Sequence, residues 1–118
     1  MGTTSLIELA KRRAASSRCR HKMGAVIASG SRVLSAQANA RRNSPAIDFK
    51  NASFHAEEAA LRRVRNPVGA TVFVARVDAS GVAMMARPCA RCTRRLTEAG
   101  VVGAYYTVSA NVIEYMHM

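Results

Sequence analysis

Two short motifs, each at the start of a predicted helix, constrain this chain more than any other feature of its sequence. The first is His55-Ala56-Glu57 and the second is Pro88-Cys89-Ala90-Arg91-Cys92. The two cysteines lie three positions apart, so on a first helical turn both sulfur atoms can face one point. A strand is predicted between the motifs, so the fold is expected to bring two successive helix starts together.

The side chains of these motifs form a set of zinc ligands. The Cys89 and Cys92 thiolates and the His55 imidazole supply three ligands, which leaves the fourth tetrahedral position open for water, as in catalytic zinc sites. Helix N-termini favour the thiolate form through the helix dipole. Glu57, two residues after His55, is placed to deprotonate that water and to deliver protons to a ring nitrogen and a leaving amine. The set predicts Zn²⁺ as the cofactor and Glu57 as the catalytic residue.

Each member of this set has a simpler interpretation when it is taken alone. A single His on an Ala-rich helix is usually structural, an isolated Cys-x-x-Cys pair is more often redox-active or half of a zinc knuckle, and a Glu in a first turn often serves only the helix dipole. None of these explains both motifs at successive helix starts. Cys19 and His21 offer two further ligands without a partner cluster nearby in sequence, so they predict a thiol beside a basic turn rather than a second metal site. Glu58 and Glu98 are expected to be ordinary helix charges.

The hydrophobic pattern predicts alternating helices and strands. Helices are expected over 3–17, 53–65 and 88–99, and strands over 23–28, 32–36, 71–77 and 101–108. Ser53 is expected to cap the second helix and Gly100 to end the third. Residues 39–51 are polar and predict a loop, 82–85 is expected to be extended, and the last ten residues are ambiguous between a strand and a frayed end. This order predicts one α/β domain over 1–118, built around a mixed sheet.

Charge and cysteine content indicate which cellular compartment and which classes of binding partner suit this chain. Lys and Arg number 18 against 7 Asp and Glu, a formal net charge of +11, which attracts the phosphates of a mononucleotide, a nucleic acid or a membrane surface. Three cysteines, two of them in Cys-x-x-Cys, indicate a metal site in a reducing compartment rather than a disulfide framework. No stretch approaches the roughly 20 apolar residues of a membrane span. A soluble, cytoplasmic protein without a membrane partner is expected.

With both motifs in hand, the chain resembles the cytidine and deoxycytidylate deaminase superfamily, since H-x-E followed by P-C-x-x-C is the signature of the zinc nucleobase deaminases. The segment MGAVIASGSRVLSAQAN is similar to the family's first hairpin, HAEEAAL to its first zinc helix, ARPCARC to its second and VVGAYYT to the strand that follows. The resemblance implies a three-layer α/β/α sandwich with a central mixed sheet of about five strands. It also implies a homo-oligomer, because members commonly complete each other's pockets.

The resemblance further implies substrate contacts. The backbone of Ala56 and of Pro88-Cys89 would contact the amino group and the attacked centre, and Asn39 would contact the sugar or the base. The alternative for Asn39 is a turn-former that ends a strand. Relatives often have a glycine and an aromatic residue where this chain has Gln37 and Ala38, and Ser, Thr or Glu where Ala86 and Arg87 stand. These differences affect the substrate pocket and leave the zinc chemistry unchanged.

Three functions fit the sequence. The first is zinc-dependent hydrolytic deamination of a cytosine nucleoside or nucleotide of the deoxycytidylate type, in which the basic loop around Arg41, Arg42 and Lys50 holds the phosphate. The second is deamination of cytosine or adenine in single-stranded DNA or RNA, including tRNA, for which the three Tyr and three Phe offer few stacking platforms. The third is a non-catalytic, zinc-stabilised nucleic-acid-binding module, against which the intact Glu57 argues. The first function is the preferred prediction.

Overall fold

The computed structural model describes residues 2–41 and 53–118, of which the backbone alone is described at 41, 53 and 54. The helices are α1 (Thr3–Ala15), α2 (Ala56–Leu61) and α3 (Ala90–Glu98). The strands are β1 (Lys22–Ser29), β2 (Arg32–Ala38), β3 (Ala40–Arg41), β4 (Ser53–Phe54), β5 (Thr71–Val77), β6 (Ala83–Met84), β7 (Gly103–Ser109) and β8 (Val112–His117).

Six of these strands form a mixed sheet in the order β2-β1-β5-β7-β8, with β6 paired to β5. Strand β1 is antiparallel to β2 and β5, whereas β5 and β7 are parallel. A parallel pair needs a crossover connection, and α3 lies in the segment that supplies it. The prediction of a mixed sheet is confirmed. The sheet has six strands rather than about five, because both the short β6 and the C-terminal β8 pair with it.

Helices cover both faces of this sheet, because alternate residues of the central strands point to opposite sides. One face packs against α1 through a cluster of buried side chains: Leu6, Ile7, Ala10, Val26, Ala28, Phe73 and Ala75. The other face packs against α2 and α3 through a second cluster that includes Ala25, Ile27, Ala56, Ala60, Val72, Val74, Leu96, Ala104 and Tyr106. This confirms the three-layer α/β/α arrangement.

Helix α1 lies so close to β1 that only a glycine fits between them. A Cβ atom built on Gly24 would overlap the carbonyl oxygen of Ala10 and the backbone nitrogen of Ala14. The Gly24 position therefore sets the distance between the first layer and the sheet.

The second helix is shorter at both ends than the sequence predicts. Ser53 lies in β4 and does not cap the helix, since His55, with φ −63° and ψ 144°, is the N-cap residue. After Leu61 the N–H groups of Arg63 and Val64 bond to carbonyls three residues back instead of four. A last turn with hydrogen bonds to the third residue back, as in a 3₁₀-helix, is typical of the end of an α-helix.

The other bounds differ by a few residues. The first helix ends at Ala15, and the third begins at Ala90 instead of position 88. Gly100 follows the third helix with φ +96°, the conformation expected of a glycine at a helix end. The last ten residues contain a full strand, β8, antiparallel to β7. None of the helices in the described residues is long and apolar enough to cross a membrane.

Candidate active site

The two motifs lie at adjacent helix starts below the same face of the sheet. His55 is the N-cap residue of α2, Cys89 is the N-cap residue of α3, and Cys92 lies in the first turn of α3. His55 Nδ1 is 3.2 Å from Cys92 Sγ and 3.7 Å from Cys89 Sγ. A tetrahedral zinc ion with bonds of about 2.0 Å to nitrogen and 2.3 Å to sulfur places such atoms roughly 3.5 Å apart. The structure brings the three predicted ligands together at distances that suit zinc.

No other group of this kind occurs in the described part of the chain. Among residues 2–41 and 53–118, His55, Cys89 and Cys92 form the one cluster of three or more His, Cys, Asp or Glu side chains that could hold a metal ion. Cys19 and His21 belong to no such cluster among these residues.

Glu57 lies beside this cluster and is buried, with 2% of its surface exposed. Burial raises the pKa of Glu57 to about 7, and the negative charge of Glu58 adds to the rise. Its Oε1 atom has no hydrogen-bond partner among the described residues. A buried carboxylate oxygen without a partner is costly unless another group comes to it. Zinc with its water would supply that group, so Glu57 fits the predicted cofactor.

The two thiols differ in their surroundings. Cys89 is exposed and its Sγ accepts a hydrogen bond from the N–H of Cys92, at 3.5 Å, as the cap of α3. Cys92 is fully buried, and burial together with the negative charges of Glu57 and Cys89 raises the pKa of its thiol. A divalent cation between these groups would offset their mutual repulsion. The donor set therefore fits a dication.

Glu58 connects the two helices that carry the ligands. Its buried carboxylate accepts hydrogen bonds from Arg91 Nε at 3.1 Å and Arg91 Nη2 at 2.6 Å, and Arg95 Nε lies 3.0 Å away. Burial opposes the ionisation of Glu58, but the hydrogen bonds and charge of Arg91, followed by the charges of Arg95 and His55, outweigh it and lower the pKa. The prediction that Glu58 is an ordinary helix charge is wrong, because this carboxylate links α2 to α3.

A cavity of about 300 Å³, here called the site cavity, opens beside the cluster. It is lined by His21, Met23, Asn39, His55, Glu57, Arg76, Met85, Arg87 and Cys89. Sequence reasoning did not assign Arg76 or Met85 to the site. The sequence did contain one indication for Arg76. Residues two apart on a strand share one face of the sheet, so Arg76 lies on the same face as the fully buried Val72 and Val74, where a charged residue is unusual.

Asn39 lies in the wall of the site cavity and also holds the backbone around it. Its Oδ1 accepts hydrogen bonds from the Ser17 hydroxyl at 2.6 Å and the Met23 N–H at 3.0 Å. Its Nδ2 donates to the His21 carbonyl at 2.6 Å. Because the backbone N–H only donates and the carbonyl only accepts, these contacts determine the orientation of the amide. The structural role of Asn39 is thus evident, and its contact with a substrate stays a prediction.

Ala56 and Pro88 are not among the described residues that line the site cavity. Both are buried, Ala56 fully and Pro88 directly before Cys89 in the chain. Arg42 and Lys50 lie outside the described residues, and only the backbone of Arg41 is described, in β3. Their proposed contacts with the substrate stay predictions.

Residues 3–108 match the family model described as the cytidine and deoxycytidylate deaminase zinc-binding region. The structure is similar to a cytidine deaminase from Burkholderia pseudomallei, with a TM-score of 0.76, 18% identity, and 99% of this chain and 93% of that one covered. It is also similar to a dCMP deaminase from the cyanophage S-TIM5, with a TM-score of 0.69, 22% identity, and coverage of 88% and 80%. No curated protein sequence matches the chain.

Proposed function

Because this chain belongs to the cytidine and deoxycytidylate deaminase family, matched over residues 3–108, we propose that it releases ammonia from a cytosine nucleoside or nucleotide of the deoxycytidylate type. The chain is a zinc-dependent hydrolase that acts on a carbon–nitrogen bond. One observation carries the assignment of roles: the ligand atoms of His55, Cys89 and Cys92 lie within 4.8 Å of one another beside the buried Glu57. These three residues hold the metal, and Glu57 moves the protons.

The reaction exchanges the C4 amino group of cytosine for oxygen from water. Zinc, when bound, supplies a Lewis acid that activates water. Glu57 lines the site cavity and its buried Oε1 has no hydrogen-bond partner among the described residues, which supports a role in taking a proton from water and returning protons to the ring nitrogen and the leaving amine. A pKa of about 7 leaves both forms of this carboxyl populated near neutral pH. That balance suits a group that must accept and donate in one cycle.

Other residues of the site cavity orient the substrate. Met23 and Met85 supply apolar surface for the faces of the base and exclude water from it. Asn39 Nδ2 donates one of its two hydrogens to the His21 carbonyl, and among the described residues the second hydrogen has no recorded acceptor, so it could serve the sugar or the base.

The nucleic-acid alternatives are not favoured. The family model names cytidine and deoxycytidylate deaminases, and a second structure of the S-TIM5 enzyme, 21% identical and with a TM-score of 0.67, is a complex with dCMP and dUMP. Stacking platforms for single strands are aromatic side chains. Among the described residues that line the site cavity there is no Phe, Tyr or Trp.

The test is a screen for ammonia release with zinc-loaded protein over cytidine, deoxycytidine, their monophosphates, adenosine and short oligonucleotides. We expect turnover of the cytosine nucleosides or nucleotides. The Glu57→Gln variant should keep its zinc and lose about 10²- to 10⁴-fold in kcat, because the amide cannot carry the proton. Retained turnover in Glu57→Gln, or turnover of oligonucleotides alone, would contradict the proposal.

A further inference from the structure

Three basic side chains from separate elements meet in the wall of the site cavity. His21 precedes β1, Arg76 is the penultimate residue of β5, and Arg87 lies between β6 and α3. We refer to these three residues as the basic cluster. They line the same cavity as Glu57 and two of the zinc ligands, so a molecule that occupies the cavity meets both sets.

The strand register places Arg76 on the catalytic face of the sheet. Arg76 is the partner of Met23 across the β1–β5 pair, and both line the site cavity. In β5 it follows Val72 and Val74, which are fully buried on that face. Arg76 is itself half-buried. Its guanidinium therefore ends a row of core side chains at the point where the sheet borders the cavity.

A hydrogen bond holds Arg76 against His21. Arg76 Nη2 lies 2.8 Å from His21 Nδ1. A guanidinium can only donate, so His21 accepts at Nδ1 and carries its ring proton on Nε2. The His21 backbone is held in turn by Asn39 through its carbonyl. The remaining N–H groups of Arg76 and the Nε2–H of His21 are thus available as donors, and both side chains are held in place by hydrogen bonds.

The arginines of the basic cluster lack a carboxylate partner in the described part of the chain. The ion pairs there are Lys11–Glu8, Arg91–Glu58 and Arg95–Glu58, and neither Arg76 nor Arg87 takes part in one. The carboxyl group in the cavity wall is that of Glu57, which forms no ion pair with either arginine among the described residues. Two guanidinium charges in a cavity wall without a carboxylate partner favour a bound anion.

We propose that His21, Arg76 and Arg87 form an anion subsite that takes the terminal phosphate of a cytosine nucleoside monophosphate. This rests on the proposed deaminase function, and it assigns a phosphate contact to these residues beside the one predicted for Arg41 and Arg42. A phosphate monoester carries about −1.5 to −2 charge at pH 7, which matches two guanidinium groups. Arginine also binds phosphate oxygens in a bidentate manner. The phosphodiester of a nucleic acid carries a single negative charge, and the cavity offers no Phe, Tyr or Trp among its described lining.

The kinetic test compares CMP with cytidine, and dCMP with deoxycytidine, at constant ionic strength. Wild-type enzyme should prefer the monophosphates by about 100-fold or more in kcat/KM. Arg76→Gln removes charge-assisted hydrogen bonds, so it should lower kcat/KM for the monophosphates by about 10- to 100-fold, mostly through a higher KM, and leave kcat/KM for the nucleosides unchanged. Arg87→Gln should act in the same direction. The matched control is Arg32→Gln, an exposed arginine at the start of β2 outside the cavity lining, which should leave the preference unchanged.

Product binding separates this inference from the deaminase assignment. In calorimetry with zinc-loaded wild type, UMP should bind at least about tenfold more tightly than uridine, and Arg76→Gln should remove that difference. If no substrate is deaminated but UMP still binds through Arg76, the proposed function fails and the subsite stands. Equal turnover of cytidine and CMP, or a preference for an oligonucleotide over CMP, would refute the subsite. It would also be refuted if Arg76→Gln and Arg87→Gln, with full zinc content, lowered kcat/KM for cytidine and for CMP by the same factor.

Discussion

Glu58→Gln tests whether the zinc site depends on the ion pairs that connect its two helices. Glu58 is 4% exposed and accepts from Arg91 at 2.6 and 3.1 Å, with Arg95 at 3.0 Å. Glutamine keeps the volume of the side chain but removes its charge, and its NH₂ group then faces guanidinium donors. The substitution therefore weakens the connection between α2 and α3 without leaving a cavity.

The magnitude follows from burial on one side of the ion pairs and exposure on the other. Removing one partner of a fully buried pair costs about 3–5 kcal/mol. The side chains of Arg91 and Arg95 are 40% and 60% exposed, so solvent screens much of this interaction. We expect a loss of about 1–2.5 kcal/mol, or roughly 4–10 °C in Tm for a domain of this size.

The loss should also depend on pH in one direction. The folded-state pKa of Glu58 is below its ordinary value, so its ionised form contributes stability in full above the unfolded carboxyl pKa. That contribution disappears as the pH falls through the lowered folded-state pKa. The difference in stability between wild type and Glu58→Gln should therefore be constant near neutral pH and shrink in acid.

The assay is a double-mutant cycle with Arg91→Gln, measured as thermal unfolding at saturating zinc and as zinc affinity. We expect a coupling energy of about 1 kcal/mol or more and a zinc affinity lowered about 10- to 100-fold in Glu58→Gln, as for residues that orient metal ligands. Glu98→Gln, the same chemical change at an exposed position of α3, should stay within about 0.5 kcal/mol of wild type. Coupling near zero, or equal effects of Glu58→Gln and Glu98→Gln, would refute the reasoning.

Further predictions concern the layer spacing and the metal. Gly24→Ala should destabilise the protein by about 1–3 kcal/mol, because its Cβ would overlap backbone atoms of α1. The control is Gly2→Ala, where nothing lies within 4 Å of an added Cβ. Equal Tm values for the two variants would contradict the close packing of α1 on β1. Chelation of zinc should lower Tm and abolish turnover, and Cys89→Ser should lower zinc affinity in equilibrium dialysis. Zinc affinity should rise with pH, since the pKa of Cys92 is raised and its thiol must lose a proton when zinc binds. Titration calorimetry in buffers of different ionisation enthalpy counts the protons released, and binding without proton release would contradict this prediction.

The sequence by itself predicted the candidate ligands that the structure brings together and most of the secondary structure, because both depend largely on local spacing. Cys-x-x-Cys on a helix start places two sulfur atoms on one side whatever the rest of the fold does. The strand over 71–77 was predicted with its observed bounds, because β-branched residues between turn signals are a local pattern. The start of the second helix was not, because Ser53 pairs with Arg41 across the β3–β4 ribbon instead of capping the helix.

Only the tertiary structure decided which charges surround the site. The sequence indicated a phosphate contact in the arginine-rich loop because charge density is visible in a linear chain. Arg76 and His21, 55 positions apart, meet only through the register of β1 and β5, and Glu58 meets Arg91, 33 positions away, only because α2 and α3 pack on one face. Register and packing arise from the burial of whole faces of the sheet and not from neighbours in sequence. The short motifs are therefore visible in the sequence, while the charged groups around the cavity come together only through contacts that folding creates.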